Sequence, residues 1–139
     1  GSKICKITLF FEISSEAPGT QEDWPSDISF HIDGVYVGEW RSPGDYGNTR
    51  GRFNPSWWHS HLNQYGLLKQ LTVDSNGTHM DSERISDVTI EDLNLQPGKP
   101  LLFRLGVSPT ALYQGGMTLF GRGFGNYNQN LRFIITYCD

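Results

Sequence analysis

The chain has 139 residues, of which 37% are hydrophobic and 13% aromatic, and a formal net charge of −4. That length suffices for one domain with a buried core. The acidic balance argues against the domain gripping nucleic acid by itself, and no apolar run approaches the ~20 residues that span a bilayer. Gly1-Ser2 reads as a cloning scar, which places the domain at residues 3–139. With two cysteines and no secretory signal pattern, a cytoplasmic chain with reduced thiols is expected.

From Ile4 to Ile13, Ile7, Leu9, Phe11 and Ile13 alternate with Thr8, Phe10 and Glu12, the period of a strand. Residues 14–25 form a loop. Ile28, Phe30 and Ile32 then alternate with Ser29 and His31, and Asp33-Gly34 separates them from a second run, Val35 to Trp40. Asp-Gly between two alternating runs predicts a hairpin with a type I′ turn, which needs positive φ at both central residues. Asn54-Pro55 before Ser56-Trp57-Trp58 predicts an N-cap and one or two helical turns. Leu67–Val73 is a strand that turns through Ser75-Asn76-Gly77 into a short partner near Thr78–Met80. Ile85–Thr89 is extended, and Thr89-Ile90-Glu91-Asp92 reads as a capping box over a single helical turn. Leu101–Val107, Met117–Phe120 and Leu131–Tyr137 complete the strands. About eight strands with almost no helix predict an all-β antiparallel sandwich of jelly-roll, galactose-binding-like type. Cys5 and Cys138 become neighbours if the first and last strands pair, and a disulfide could then form on oxidation.

Two segments depart from strand alternation. Trp40–Tyr65 holds three of the four tryptophans, and Gln114–Asn130 is rich in Gly, Asn and aromatics. A long irregular stretch in a compact domain is either functional or disordered, and disordered segments are poor in aromatics. Residues 41–65 carry Arg41, Arg50 and Arg52 against Asp45, and residues 115–130 carry Arg122 as their one charge, so both are locally positive on an acidic chain. Aromatic faces stack on sugars or planar ligands, while Arg and Asn hydrogen-bond to hydroxyls or carboxylates. The candidate ligand-binding residues are therefore Trp40, Asp45, Tyr46, Arg50, Arg52, Trp57, Trp58, Tyr65, Arg122, Asn126 and Tyr127. The bland alternative is that the tryptophans only pin the loop to the sheets. His59-Ser60-His61 offers two imidazoles without a third metal ligand in view, so no metal or cofactor is expected. The Gly-rich segment lacks phosphate-loop spacing. Neither a paired-carboxylate signature nor a nucleophile elbow is evident, and an enzyme is not expected.

Several motifs together resemble one family. Glu22-Asp23-Trp24-Pro25-Ser26-Asp27-Ile28, Ile32-Asp33-Gly34-Val35, Gly38-Glu39-Trp40 and Ser42-Pro43-Gly44-Asp45-Tyr46-Gly47 are similar to segments of predicted bacterial transcriptional regulators that pair an N-terminal ArsR-like winged helix-turn-helix with a C-terminal β-domain. Arg50-Gly51-Arg52, Pro55-Ser56-Trp57-Trp58, Gln64–Lys69, Ile85–Thr89 and Leu119–Tyr127 extend the resemblance across roughly residues 7–137. It implies a C-terminal effector domain; the loop chemistry, apart from the resemblance, points to a small polar ligand with carbohydrate as the favoured class. DNA binding would be supplied by a separate N-terminal domain, and a homodimer would be the working form. The metal-sensing cysteines of some ArsR-like repressors have no counterpart here. A stand-alone carbohydrate-binding module and a pure dimerisation or protein-contact domain are the rival readings.

Overall fold

A computed structural model describes residues 3–46, 49–58 and 62–139. Among them lie nine strands and one short helix: β1 Lys3–Ser14, β2 Ser26–Ile32, β3 Val35–Ser42, β4 Leu67–Asp74, β5 Gly77–Met80, β6 Glu83–Ser86, α1 Ile90–Leu93, β7 Phe103–Val107, β8 Thr118–Phe120 and β9 Arg132–Cys138. All strand pairs are antiparallel, so the protein is all-β as its alternation predicts.

The long first strand organises the larger sheet. One edge of β1 pairs with β4, from Ile7 opposite Val73 to Ile13 opposite Leu67. Its partners also include β9, along Lys3–Phe10, and then β8, along Glu12–Ser14. Beyond β4 follow β5 and β6. The smaller sheet has the order β3-β2-β7. The core lies between the sheets. Ile7, Leu9, Phe11 and Ile13 meet Ile28, Phe30 and Ile32, with Val37, Leu71 and Val73 filling in. Phe30 stacks on Phe103 with ring centroids 6.2 Å apart, and Phe11 packs on both. Burial of this apolar surface is the main stabilising term, at roughly 25 cal/mol per Å² removed from water.

Local expectations are met where turn chemistry is explicit. Asp33 and Gly34 have φ of 48° and 81°, joining β2 to β3 through the positive-φ turn that Asp-Gly favours. Thr89 caps α1: its side chain accepts from Asp92 N, and the Asp92 carboxylate accepts from Thr89 N at 2.9 Å. The Asn54-Pro55 expectation fails. Residues 55–58 make one hydrogen-bonded turn, Trp58 N to Pro55 O at 3.0 Å, and no helix. The Asn54 side chain that was to cap a helix accepts instead from Gly125 N on the other irregular segment.

The strand pairing brings the cysteines together. Lys3 stands opposite Cys138, and Cys5 sits at a register shift between Ile4 and Lys6. The Cys5 thiol donates to the Thr136 carbonyl at 3.4 Å, and both cysteines are free. A hydrogen bond with Cys5, and after it burial, pushes the Cys138 thiol up. Because the thiolate is the reactive species, mild oxidation at alkaline pH is expected to form an intramolecular Cys5–Cys138 disulfide. Non-reducing electrophoresis should show a faster-migrating monomer that Cys138→Ser abolishes. Covalent dimers in place of that monomer would contradict the pairing.

Candidate functional site

The two irregular segments meet over a buried carboxylate. Glu12 alternates with Phe11 and Ile13 and therefore points away from the core, yet it is 1% exposed. Its Oε2 accepts from Gly66 N at 2.8 Å and Asn126 N at 2.7 Å, and its Oε1 accepts from Tyr127 N at 3.0 Å. One side chain on β1 thus holds the end of the first segment and the middle of the second. The approach is so close that a Cβ on Gly125, whose φ is +73°, would lie 2.4 Å from Glu12 Oε2. Burial pushes the Glu12 carboxyl above its ordinary value, and the three backbone N–H groups only partly oppose this.

A second set of bonds closes the clasp. Arg50 Nη1 donates to Gln64 Oε1 at 3.0 Å, and Nη2 donates to the carbonyls of Asn54 and Pro55 at 3.1 and 2.7 Å. Phe53 N donates to Gly125 O at 3.0 Å. Asn63 reaches down to Ser14 Oγ and to Ser15 O. Gly51 fits because its α-carbon faces Gln64 O, Asn54 Oδ1 and Gly125 O at distances a side chain would violate.

On top of this frame lies an aromatic platform. Trp58 donates from Nε1 to Asn63 O at 3.2 Å and meets Phe124 edge-to-face at 5.1 Å. Trp57 leans on Trp58 at 5.7 Å and is 72% exposed. A cleft of about 210 Å³ opens between Trp58, Phe124, Asn63 and Leu119. The exposed Arg52 stacks over Phe53 at 5.5 Å, and the exposed Arg122 stands two residues before Phe124.

The remaining sequence candidates are placed elsewhere. Trp40 belongs to β3, opposite Ile28, and packs against the core with the Lys69 ammonium 4.9 Å from its ring. Asp45 is buried and accepts from Ala17 N at 3.0 Å, fixing a neighbouring loop. Tyr46 and Tyr65 meet each other edge-to-face at 6.0 Å. Burial, and then the nearby Glu22 and Tyr65, push the Tyr46 phenol up. Asn126 and Tyr127 serve Glu12 through their backbones, and Arg50 is spent on the clasp. Of the eleven candidates, the two segments bring Trp57 and Trp58 to the platform and leave Arg52 and Arg122 exposed. Glu12 escaped sequence reasoning because its place in the alternation is that of an ordinary solvent-facing residue. The His59-Ser60-His61 metal question lies outside the described residues. Among those described, no group of three His, Cys, Asp or Glu is placed to hold a metal ion.

A carboxyl that binds its proton more tightly when folded contributes stability that is full below its ordinary value near 4.5. That contribution is lost as pH rises through the raised folded value. Glu12→Gln removes this dependence. The wild-type stability minus that of Glu12→Gln is expected to fall as pH rises above about 4.5, read from urea midpoints between pH 4 and 7. A pH-independent difference would show that Glu12 titrates normally.

No protein-family model, curated protein or solved structure matches the chain.

Proposed function

We propose that the chain is a ligand-binding domain of jelly-roll type that takes a small polar ligand, carbohydrate in class, on the Trp57–Trp58–Phe124 platform. In this reading it is the effector domain of a bacterial transcriptional regulator whose DNA-binding winged helix lies in a separate N-terminal domain. The observation that carries the reading is the 72% exposure of Trp57 on a frame whose own bonds run through Glu12, Arg50 and Asn54. The frame gains nothing from so large an exposed ring, whereas an aromatic face exposed beside hydrogen-bonding groups suits the apolar side of a sugar. A ligand that bound one arrangement of these segments better than another would shift their equilibrium and, through it, the attached domains.

Trp57→Ala is expected to change stability by no more than about 0.5 kcal/mol, as for an exposed side chain. It should also abolish the amide chemical-shift changes that ligands found on a glycan array produce at residues 58, 63, 119 and 124. Trp58→Ala, half-buried and bonded to Asn63, should cost about 2 kcal/mol. Ligand-induced amide shifts at residues 58, 63, 119 and 124 that survive Trp57→Ala would sink the platform assignment. A secretion signal encoded upstream of Lys3, in place of a winged helix, would favour the stand-alone module.

A further inference from the structure

The outer face of the three-stranded sheet has no part in the platform, and its side chains form a grid. Since Ile28, Phe30 and Ile32 enter the core, Asp27, Ser29 and His31 face outward from β2. Pairing sets Tyr36 and Arg104 on either side of His31, Glu39 and Gly106 on either side of Ser29, and Arg41 beside Asp27. The middle row is low and the ends are high. Clefts of about 360 and 490 Å³ adjoin there, sharing Ser29, His31 and Ser108, with residues 108–112 as a wall.

Gly106 is the decisive residue. A glycine inside a strand weakens it and marks a bulge, a bend or a place where something approaches closely. None of the internal reasons applies. The ladder runs without a register shift from Ile28–Val107 to Ile32–Phe103, Gly106 has no positive φ, and a Cβ there would meet nothing within 4 Å. The fold has room for a side chain and the sequence leaves it out. Ser29, 8% exposed, lines the same floor, and its hydroxyl forms no hydrogen bond among the described residues.

The walls define the ligand. Arg41 Nε donates to Asp27 Oδ1 at 2.7 Å, and its guanidinium lies 4.2 Å from the Tyr113 ring, so this end is rigid. Asp27 cancels Arg41 and Glu39 balances Arg104, so the trough favours neither a polyanion nor a polycation. It offers a carboxylate acceptor, guanidinium donors, a free hydroxyl, an imidazole, and the Tyr36 ring, 48% exposed and edge-on to His31 at 5.5 Å. Donors and acceptors interspersed beside an aromatic face match vicinal hydroxyls on a ring with an apolar side. We propose that this trough is a second binding site, independent of the platform, for a sugar-sized polyhydroxylated ligand lying across Ser29 and Gly106.

The test titrates the isotope-labelled protein with free hexoses, N-acetylhexosamines and their disaccharides at millimolar concentration, read by amide chemical shifts. Saturable shifts at residues 29, 31, 36, 39 and 106 are expected. Gly106→Leu, which fills the floor, should weaken the response at least about tenfold, and Trp57→Ala should leave it unchanged. If Gly106→Leu unfolds the sheet, Tyr36→Ala combined with Glu39→Gln, both at exposed side chains, should give the same loss. Shifts confined to the Trp57 region, or no saturable shift with any of these sugars, would overturn the trough. The first of those results would leave the platform reading standing.

Discussion

Glu12→Ala is expected to lower the unfolding free energy by about 3–5 kcal/mol, because it leaves the amides of Gly66, Asn126 and Tyr127 buried without acceptors, at roughly 1–3 kcal/mol each with partial relaxation. For a domain whose whole stability is of order 5–15 kcal/mol, that is a melting-temperature loss of about 10–20 °C. The loss should be local in character. With their shared acceptor gone, residues 62–66 and 121–130 are released first, and Trp58 fluorescence should report opening before the β-sheet signal in far-ultraviolet circular dichroism collapses. Glu12→Gln is expected to cost less. Its single amide oxygen can take the Oε2 position and keep the Gly66 and Asn126 bonds, leaving one clash of donors at Tyr127. Equal effects of the two substitutions would mean that packing, not hydrogen bonding, makes Glu12 matter.

The same residue shows what strand alternation can and cannot reveal. Alternation reports which side of a strand a residue occupies, and Ile7, Leu9, Phe11 and Ile13, which share one side of the predicted strand, are all buried. It says nothing about what covers the other side. Over Phe10 that side stays half-open, whereas over Glu12 it is sealed by segments more than fifty residues away in sequence, and a residue of solvent-facing pattern becomes a buried anchor. Turn chemistry was legible because it is local: Asp33-Gly34 and Thr89–Asp92 determine their own geometry. Asn54-Pro55 carried an equally local signal and failed, because Gly125 N competes for the Asn54 oxygen. The pairing of the two aromatic segments was legible in their shared composition, and the face each aromatic presents was not. Trp40 and Trp57 look alike in sequence, but ladder pairing opposite Ile28 packs one against the core, and a single turn lifts the other into solvent.

Gly125→Ala should rival Glu12→Ala in cost and should depend on it. In the wild-type background the added Cβ overlaps both carboxylate oxygens and occupies a φ of +73°. Left-handed backbone costs an L-residue about 1–2 kcal/mol, and displacing the carboxylate sacrifices hydrogen bonds worth about 2–3 kcal/mol more, so a loss of about 3–5 kcal/mol is expected. In the Glu12→Ala background the overlap is gone and only the backbone term remains. The double mutant should therefore be about 2–3 kcal/mol more stable than the sum of the single losses implies, a coupling typical of residues in direct contact. Gly123 provides the control. Its φ is +86°, but a Cβ there meets nothing within 4 Å, so Gly123→Ala should cost about 1–2 kcal/mol in either background. Urea unfolding of the four-member cycle and its control measures all of these terms. Additivity at Gly125 would show that the glycine serves backbone conformation alone. Coupling there, with none at Gly123, would establish that the chain uses a glycine at this point so that one carboxylate can reach the amides of two segments, and that the platform is held in place by that reach.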